Sequence, residues 1–553
     1  MWTGFPIVAA AAGVALMLMR PGAANAQSAL TGQVSSAEEA LMEGVVVSAK
    51  GDASRITISV VSDAQGRYAF PASKLGPGRY AVTIRAVGYD LDGPRAVEVG
   101  AGAGAGASAT ADLSLRKAKD LSAQLSNAEW LASMPGTEAQ KKSLLNCVNC
   151  HTLERIVKSR HDAAEFMAVI ERMSGYYQGS IPEYPQRFAE DARHPPGPEA
   201  KAIAEYLASV NLSKAATWSY ALKTFPRPTG AATHVVVTEY ELPRKQIQAH
   251  DVIVDSDGLV WFSHFGEALL SRMDPGSGEV REFPLPVLKK GLPLGTLDLE
   301  ADRDGNLWIG MMQQGGIAKF DKKTQTVQAF PVPDEWQTDG ATFQQATAAN
   351  SHVDGKVWSK NSEGNQLLRL DLATGKWENL QALKNPATNR NIAMYGMPSD
   401  RENNVYLLDI AGGNIGRLDA KTLKLSVYRT PILNSRPRRG RVDQQDRLWF
   451  GEYAGNAIGM FDPKTERILE WVLPTPWAEP YDVAVDRNGM AWTGSMLSDR
   501  VSRLDPASGH ITEFLLPRST NIRRVFVDDR TTPATLWVGN THGASIIKVE
   551  TTE

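Results

Sequence analysis

Two cysteines are all that this 553-residue chain contains, and both lie in one run of five residues, Cys147, Val148, Asn149, Cys150 and His151. A C-x-x-C pair alone could be a disulfide or a redox pair, and neither needs the adjoining histidine. A zinc site would need two further ligands, and no second cysteine pair supplies them. Covalent haem uses every member of the run: each thiol adds to a vinyl group, and the next residue presents an imidazole to the iron from the same turn. The run therefore predicts one covalent haem c on Cys147 and Cys150, with His151 as an axial iron ligand.

The elements that must hold this run read as helices. Residues 137–145 predict a helix ending at the attachment site. Phe166, Ile170 and Met173 recur at i, i+4 and i+7, one face of a second helix. Residues 198–212 put Ile203, Tyr206, Leu207 and Val210 on one stripe of a third. This order over residues 130–213 resembles class I cytochrome c, in which the haem run sits on the first helix and a last helix closes the fold with an aromatic-Leu pair, matched by Tyr206 and Leu207. The resemblance also points to Met173 as the sixth ligand, because Arg172 and Met173 precede a Gly-containing loop as in short cytochrome domains. A thioether there stabilises ferrous haem and suits an electron carrier. Met167, His161 and His194 are the competing ligands.

Residues 5–19 are apolar and are followed by Ala24, Asn25 and Ala26, an A-x-A cleavage pattern, although no basic stretch precedes them. About 15 apolar residues fall short of the roughly 20 a membrane-spanning helix needs. Residues 1–26 are thus expected to be a cleaved secretory signal, leaving a periplasmic protein without an integral span. A composition of 42% hydrophobic and 22% charged residues is that of ordinary globular domains. A net charge of -3 gives no electrostatic case for nucleic acid or an anionic membrane surface as partner. The length calls for several domains.

Residues 29–117 alternate apolar and polar positions between turn residues, as a small β-sandwich would. Asp63, Gly66, Tyr68 and Phe70, then Gly88 and Tyr89, resemble the carboxypeptidase regulatory-like domain, whose members are mostly structural or adhesive. The Gly- and Ala-rich residues 100–107 read as a loop.

From residue 235 to 550 a turn-Gly-apolar-aromatic phrase recurs, ending in Trp261, Trp308, Trp358, Tyr406, Trp449, Trp492 and Trp537. The step is about 43 to 50 residues, the period of a propeller blade. A second phrase ends in Asp274, Asp321, Asp371, Asp419, Asp462 and Asp505. Because these turn and Arg-x-Asp aspartates repeat blade after blade, they read as structural. The last repeat lacks its outer strand, and residues 238–243 carry the missing wording ahead of the first. The pattern predicts seven blades closed by an N-terminal strand, leaving no open sheet edge. The fold class is therefore multidomain and mainly β: an N-terminal β-sandwich, a small α-helical cytochrome c domain and a C-terminal seven-bladed β-propeller.

The propeller phrases resemble virginiamycin B lyase and related streptogramin lyases. The resemblance implies a magnesium held by acidic residues and a histidine base that removes a proton beside a carbonyl and ejects an ester oxygen. The matching phrases depart from this pattern: Glu479 is followed by Tyr481 where histidine is expected and by Ser495 where glutamate is, while Arg436 and Arg438 precede Glu452. Lyase activity is therefore disfavoured. The residues about eleven positions before each blade aromatic, and those just past it such as Glu452, converge on the propeller mouth. Candidate site residues there are His250, Tyr395, Arg438, Arg439, Glu452, Tyr481, Arg523 and Arg524, a set suited to an anionic or carbonyl-bearing ligand. The expected function is electron transfer by an exported c-type cytochrome whose propeller binds a small-molecule substrate or a redox partner protein. The alternatives are a lyase of the streptogramin type, or a pure binding and docking module.

Overall fold

The computed structural model describes residues 1, 28–93, 95–101, 108–188, 195–213, 215–337, 345–361 and 365–552. The expected signal segment, most of the 100–107 loop and His194 lie outside the described residues. Among those described, no helix is long and apolar enough to cross a membrane.

The N-terminal region is two β-sheets. One is built on Ser28–Ser36, which pairs in parallel with Leu113–Lys117 and antiparallel with Arg67–Pro71. The other places Val46–Gly51 between Ile56–Val61 and Gly78–Arg85. Alternate positions of both sheets, among them Val34, Val47, Tyr68, Phe70 and Val82, are buried against one another in a common core.

The second sheet does not stop at its own edge. Ile56–Val61 pairs antiparallel with Val235–Glu241, setting Val60 opposite Val236 and Ile56 opposite Tyr240. The other side of Val235–Glu241 pairs with Ser545–Thr551 at the end of the chain. One eight-stranded sheet thus runs from the N-terminal region into the last propeller sheet. The outer strand that would otherwise offer open backbone is covered by a neighbouring domain. Lys74 to Glu550 (2.6 Å), Lys50 to Glu241 (2.7 Å) and Arg85 to Asp499 (2.6 Å) pair charges across the same boundary.

Among the described residues five helices follow: α1 Asn127–Ser133, α2 Glu138–Ser143, α3 Glu154–Val157, α4 Ala163–Ser174 and α5 Ala200–Val210. Capping boxes start three of them, Ser126 with Glu129, Thr137 with Gln140 and Asp162 with Glu165. The helix expected over 137–145 is shorter than read. α2 gives way to a 3-10 stretch, Leu144–Asn149, and the amides of Cys150 and His151 both return to the Cys147 carbonyl at 3.4 Å. The cysteine run therefore lies on a tight turn and not at the end of a helix. α5 matches its predicted stripe, with Tyr206, Leu207 and Val210 buried.

From residue 235 onward the chain is a propeller-like series of antiparallel sheets. Four-stranded examples are Ala249–Val254 through Val280–Pro284, Thr296–Ala301 through Thr326–Pro331, Pro437–Val442 through Arg467–Val472, and Pro480–Val485 through Ile511–Leu515. Two sheets between them, over 356–382 and 405–429, have three strands each, and their innermost segments make only isolated bridges, such as Thr347 with Trp358 and Met394 with Asp409.

The repeated turn is explained by one aspartate. Asp255 accepts from the amides of Asp257 and Leu259 and, through its other oxygen, from the Trp261 indole at 2.7 Å. Asp302 with Trp308, Asp443 with Trp449 and Asp486 with Trp492 repeat the bond at 3.0, 2.8 and 3.1 Å. Each turn is thereby tied to the buried aromatic of its own sheet. The aspartates of the second phrase cap their turns: Asp321, Asp371 and Asp419 each accept from the amides two and three residues on.

Candidate functional site

The innermost strands share an irregularity that builds the site. Their pairing slips between residues 249 and 252, 297 and 300, 437 and 440, 480 and 483, and 522 and 525. A β-bulge frees a residue from the ladder and re-aims its side chain. The bulged pairs are His250 and Asp251, Asp298 and Leu299, Arg438 and Arg439, Tyr481 and Asp482, and Arg523 and Arg524. Adjacent polar residues can thus serve one site, where a regular strand would send them to opposite faces.

One set of these side chains is a balanced charge cluster. Arg524 binds Asp482 at 2.7 Å and Asp298 at 2.9 Å, and lies 3.4 Å from Asp251. Arg439 pairs with Asp298, and Arg441 reaches Asp482 at 3.7 Å. Lys360 donates to the carbonyls of Met394 and Tyr395; its burial and the nearby Arg439 hold its ammonium down to about 7.

The second set is a hydrogen-bonded chain. Tyr395 and Tyr481 share a hydroxyl contact of 2.7 Å, the Tyr481 hydroxyl lies 3.2 Å from His250 Nε2, and His250 Nδ1 bonds Asp251. Burial outweighs Asp251 and brings His250 down to about 4, so its neutral ring accepts from Tyr481 while Nδ1–H donates to the carboxylate. Burial pushes the Tyr395 phenol up, but Arg438 and Arg439 outweigh it and bring it down to about 8. Arg438 donates to the Tyr395 hydroxyl at 3.3 Å and sits over the rings of Tyr453, Tyr481 and Tyr395 at 4.3, 4.5 and 4.8 Å. Arg523 and His250 both lie against Phe265, at 4.4 and 4.8 Å.

The cysteine run is seated on this mouth. Arg523 donates to the Asn149 carbonyl at 2.9 Å, His542 Nε2 approaches the same oxygen at 3.3 Å, and Asn521 donates to the Val148 carbonyl at 3.3 Å. Gln248 donates to the Gly179 carbonyl at 2.6 Å, and the Tyr177 hydroxyl meets Met312 sulfur at 3.2 Å. Val148, Leu144 and Phe166 share an apolar core with Tyr453, Tyr481, Met496 and Leu497 of the propeller.

Cys147 and Cys150 are free thiols, and burial pushes Cys147 up to about 11. His151 Nδ1 lies 3.0 Å from the Thr152 carbonyl, and burial lowers the affinity of the ring for a proton. The neutral tautomer that donates from Nδ1 keeps a lone pair on Nε2, the form that ligates a metal. Two unpaired thiols and an oriented neutral imidazole on one turn are the donor set that covalent haem requires, so the residues fit that group. Met173 is in the last turn of α4 and 40% exposed.

Of the eight mouth candidates, His250, Tyr395, Arg438, Arg439, Tyr481, Arg523 and Arg524 come together. Glu452 does not share their contacts. It accepts from Ser435 at 3.0 Å, and burial together with Glu470 raises its carboxyl well above the usual range. Sequence reasoning missed Asp251 and Asp482, although each directly follows a candidate and shares its bulge. Phe265, Tyr177 and Tyr453 carried no signal that set them apart from ordinary core.

Glu479 offers a test of the electrostatics. It is 2% exposed, one carboxylate oxygen has no partner, and burial pushes it up to about 8. A carboxyl raised above its unfolded value contributes stability that is complete below pH 4.5 and lost as pH rises toward 8. Glu479→Gln is expected to flatten the fall of the thermal midpoint between pH 5 and pH 8, and to be more stable than wild type at pH 8 by about 1–3 kcal/mol.

Comparison with known protein families matches two stretches of the chain. Residues 229–504 match the virginiamycin B lyase family and residues 29–114 the carboxypeptidase regulatory-like domain. No curated protein matches the chain. Among solved structures, virginiamycin B lyase from Staphylococcus aureus is 20% identical over 57% of this chain and 99% of its own, with a TM-score of 0.48. A streptogramin B lyase is 21% identical over 58% of this chain and 100% of its own, with a TM-score of 0.49. The extracellular domain of a hybrid two-component system from B. thetaiotaomicron is 16% identical over 56% of this chain and 40% of its own, with a TM-score of 0.43. The chain therefore joins a carboxypeptidase regulatory-like domain, through a helical segment that carries its two cysteines, to a virginiamycin B lyase-like propeller.

Proposed function

We propose that this chain is an exported c-type cytochrome in which a haem domain, residues 130–213, is docked on the mouth of a seven-bladed propeller closed by the strand Val235–Glu241. The flanking units are a signal peptide at 1–26, a β-sandwich at 29–117 and the propeller at 235–550. Cys147 and Cys150 would hold the one haem covalently, His151 would ligate its iron, and Met173 would be the second axial ligand. When bound, the haem supplies one-electron transfer.

The observation that carries this reading is the seating of the Cys147–His151 turn on Asn521, Arg523 and His542, which puts the attachment site beside the Tyr481–His250–Asp251 chain. Arg523 fixes the backbone of the attachment turn from the propeller side. The hydrogen-bonded chain fixes the Tyr481 hydroxyl on His250 Nε2, while Asp251 holds the ring through Nδ1–H. A redox partner protein or a small-molecule substrate is the expected donor or acceptor.

The family match favours a second reading, in which the propeller acts as a lyase or a docking module without redox chemistry. Against lyase chemistry stands Tyr481 at the position where the resemblance implies a histidine, with the neighbouring carboxylates engaged by Arg439 and Arg524.

The two readings separate in one comparison. Wild type made in a host with haem-attachment machinery is expected to give a low-spin spectrum that ascorbate reduces and ferricyanide restores. His151→Ala should lose the low-spin bands while keeping covalent haem. A haem-free chain that opens an ester-linked substrate by elimination would contradict the redox reading and favour the lyase.

A further inference from the structure

The four arginines at the mouth are not equivalent. Arg439 and Arg524 are neutralised by Asp298, Asp251 and Asp482. Arg438 and Arg523 are buried too, at 9% and 2% exposure, yet among the described residues neither has a carboxylate within ion-pairing distance. Arg438 donates to the Tyr395 hydroxyl, and among the described residues its Nε has no partner. Arg523 is held by two neutral oxygens, Asn521 Oδ1 at 3.1 Å and the Asn149 carbonyl at 2.9 Å. Ring faces soften the cost, three tyrosines under Arg438 and Phe265 under Arg523. A desolvated guanidinium without a counter-charge nevertheless remains unfavourable by several kcal/mol.

We infer that Arg438, over the Tyr481 ring, and Arg523, over the Phe265 ring, form a carboxylate-binding site between the propeller mouth and the cysteine-bearing turn. A carboxylate matches the planar fork of each guanidinium and supplies the missing charge. Tyr395 and Tyr481 add hydroxyls at the same place, 2.7 Å apart. Glu479 does not take this role: among the described residues it forms no ion pair with Arg438, and burial raises its proton affinity. The inference deepens the reading of the mouth as a ligand site. The carboxylate could belong to a free substrate or to the haem's own propionates, and the chemistry of recognition is the same for both.

Isothermal titration of the full-length chain with succinate tests the site. It is run on haem-loaded wild type and on a haem-free Cys147→Ala/Cys150→Ala variant, with the haem midpoint potential measured alongside. For a free ligand, the haem-loaded chain binds succinate, and Arg438→Gln and Arg523→Gln each weaken it at least tenfold without moving the potential. For a haem propionate, the haem-loaded chain does not bind succinate and Arg438→Gln shifts the midpoint potential. Arg438→Lys keeps the charge without the fork and should fall between wild type and Arg438→Gln in whichever readout responds, which separates loss of the site from loss of folding. Succinate binding that neither Gln substitution alters would overturn the inference, as would no binding in either form together with an unchanged potential. Wild type that carries no haem after expression with haem-attachment machinery but binds succinate through Arg438 would end the cytochrome reading and leave the site standing.

Discussion

Replacing Arg524 by glutamine is expected to destabilise the propeller by about 3–5 kcal/mol, the cost of removing one partner from a buried ionic cluster. Its guanidinium binds Asp482 and Asp298 and approaches Asp251, and all four side chains are nearly inaccessible to solvent. The substitution leaves Asp482 with the Val525 amide at 3.3 Å and the more distant Arg441 at 3.7 Å. It also leaves Asp298 dependent on Arg439 alone. Asp482→Asn should cost less, and in the Arg524→Gln background it should recover part of the loss, because the two groups interact directly. Chemical unfolding of the four proteins at pH 7 gives the coupling. Additive losses would show that the cluster does not act as the unit described.

The second large effect concerns the attachment turn. Cys147→Ala together with Cys150→Ala is expected to remove covalent haem altogether, so that absorbance in the Soret region stays with the chain in wild type and is lost from the variant on denaturation. Folding should survive, because the turn is held from the propeller by the backbone oxygens of Val148 and Asn149, which the variant keeps. Intact mass and far-ultraviolet circular dichroism of the purified variant check both halves. A variant that retains haem through denaturation would show that the cysteines are not the attachment points.

Much of this arrangement was legible in the sequence because it repeats. The turn aspartates and the blade aromatics recur at a fixed offset, six residues apart in Asp255 and Trp261, since each aspartate both closes a turn and binds an indole. The mouth residues could be found by counting back from those aromatics because the bulge that re-aims them recurs at the same place. Glu452, included because it lies just past Trp449, bonds Ser435 and does not share the contacts of the other mouth residues, and no local sign in the sequence announces that partner.

What did not show is what depends on distant pairing. Arg439 and Arg524 look no different in sequence from Arg438 and Arg523; what separates them is carboxylates distant in sequence, Asp298 for both, 141 and 226 residues away, and Asp251 and Asp482 for Arg524. The sheet that joins Ile56–Val61 to Val235–Glu241 is made by main-chain bonds, which leave no side-chain signature beyond alternation. α1 was overlooked although Ser126 and Glu129 announce its capping box. The 3-10 turn under Cys147 was read as helix because the preceding residues favour helix and the turn begins only at Leu144.

The central claim is that the turn from Cys147 to His151 carries a redox-active haem on the propeller mouth, and its most direct test is the optical spectrum of the mature full-length chain, oxidised and reduced, from a host with haem-attachment machinery. The account predicts a covalent, low-spin haem c whose reduced bands appear and disappear reversibly, and a high-spin spectrum for Met173→Ala. A purified chain without bound haem would contradict it.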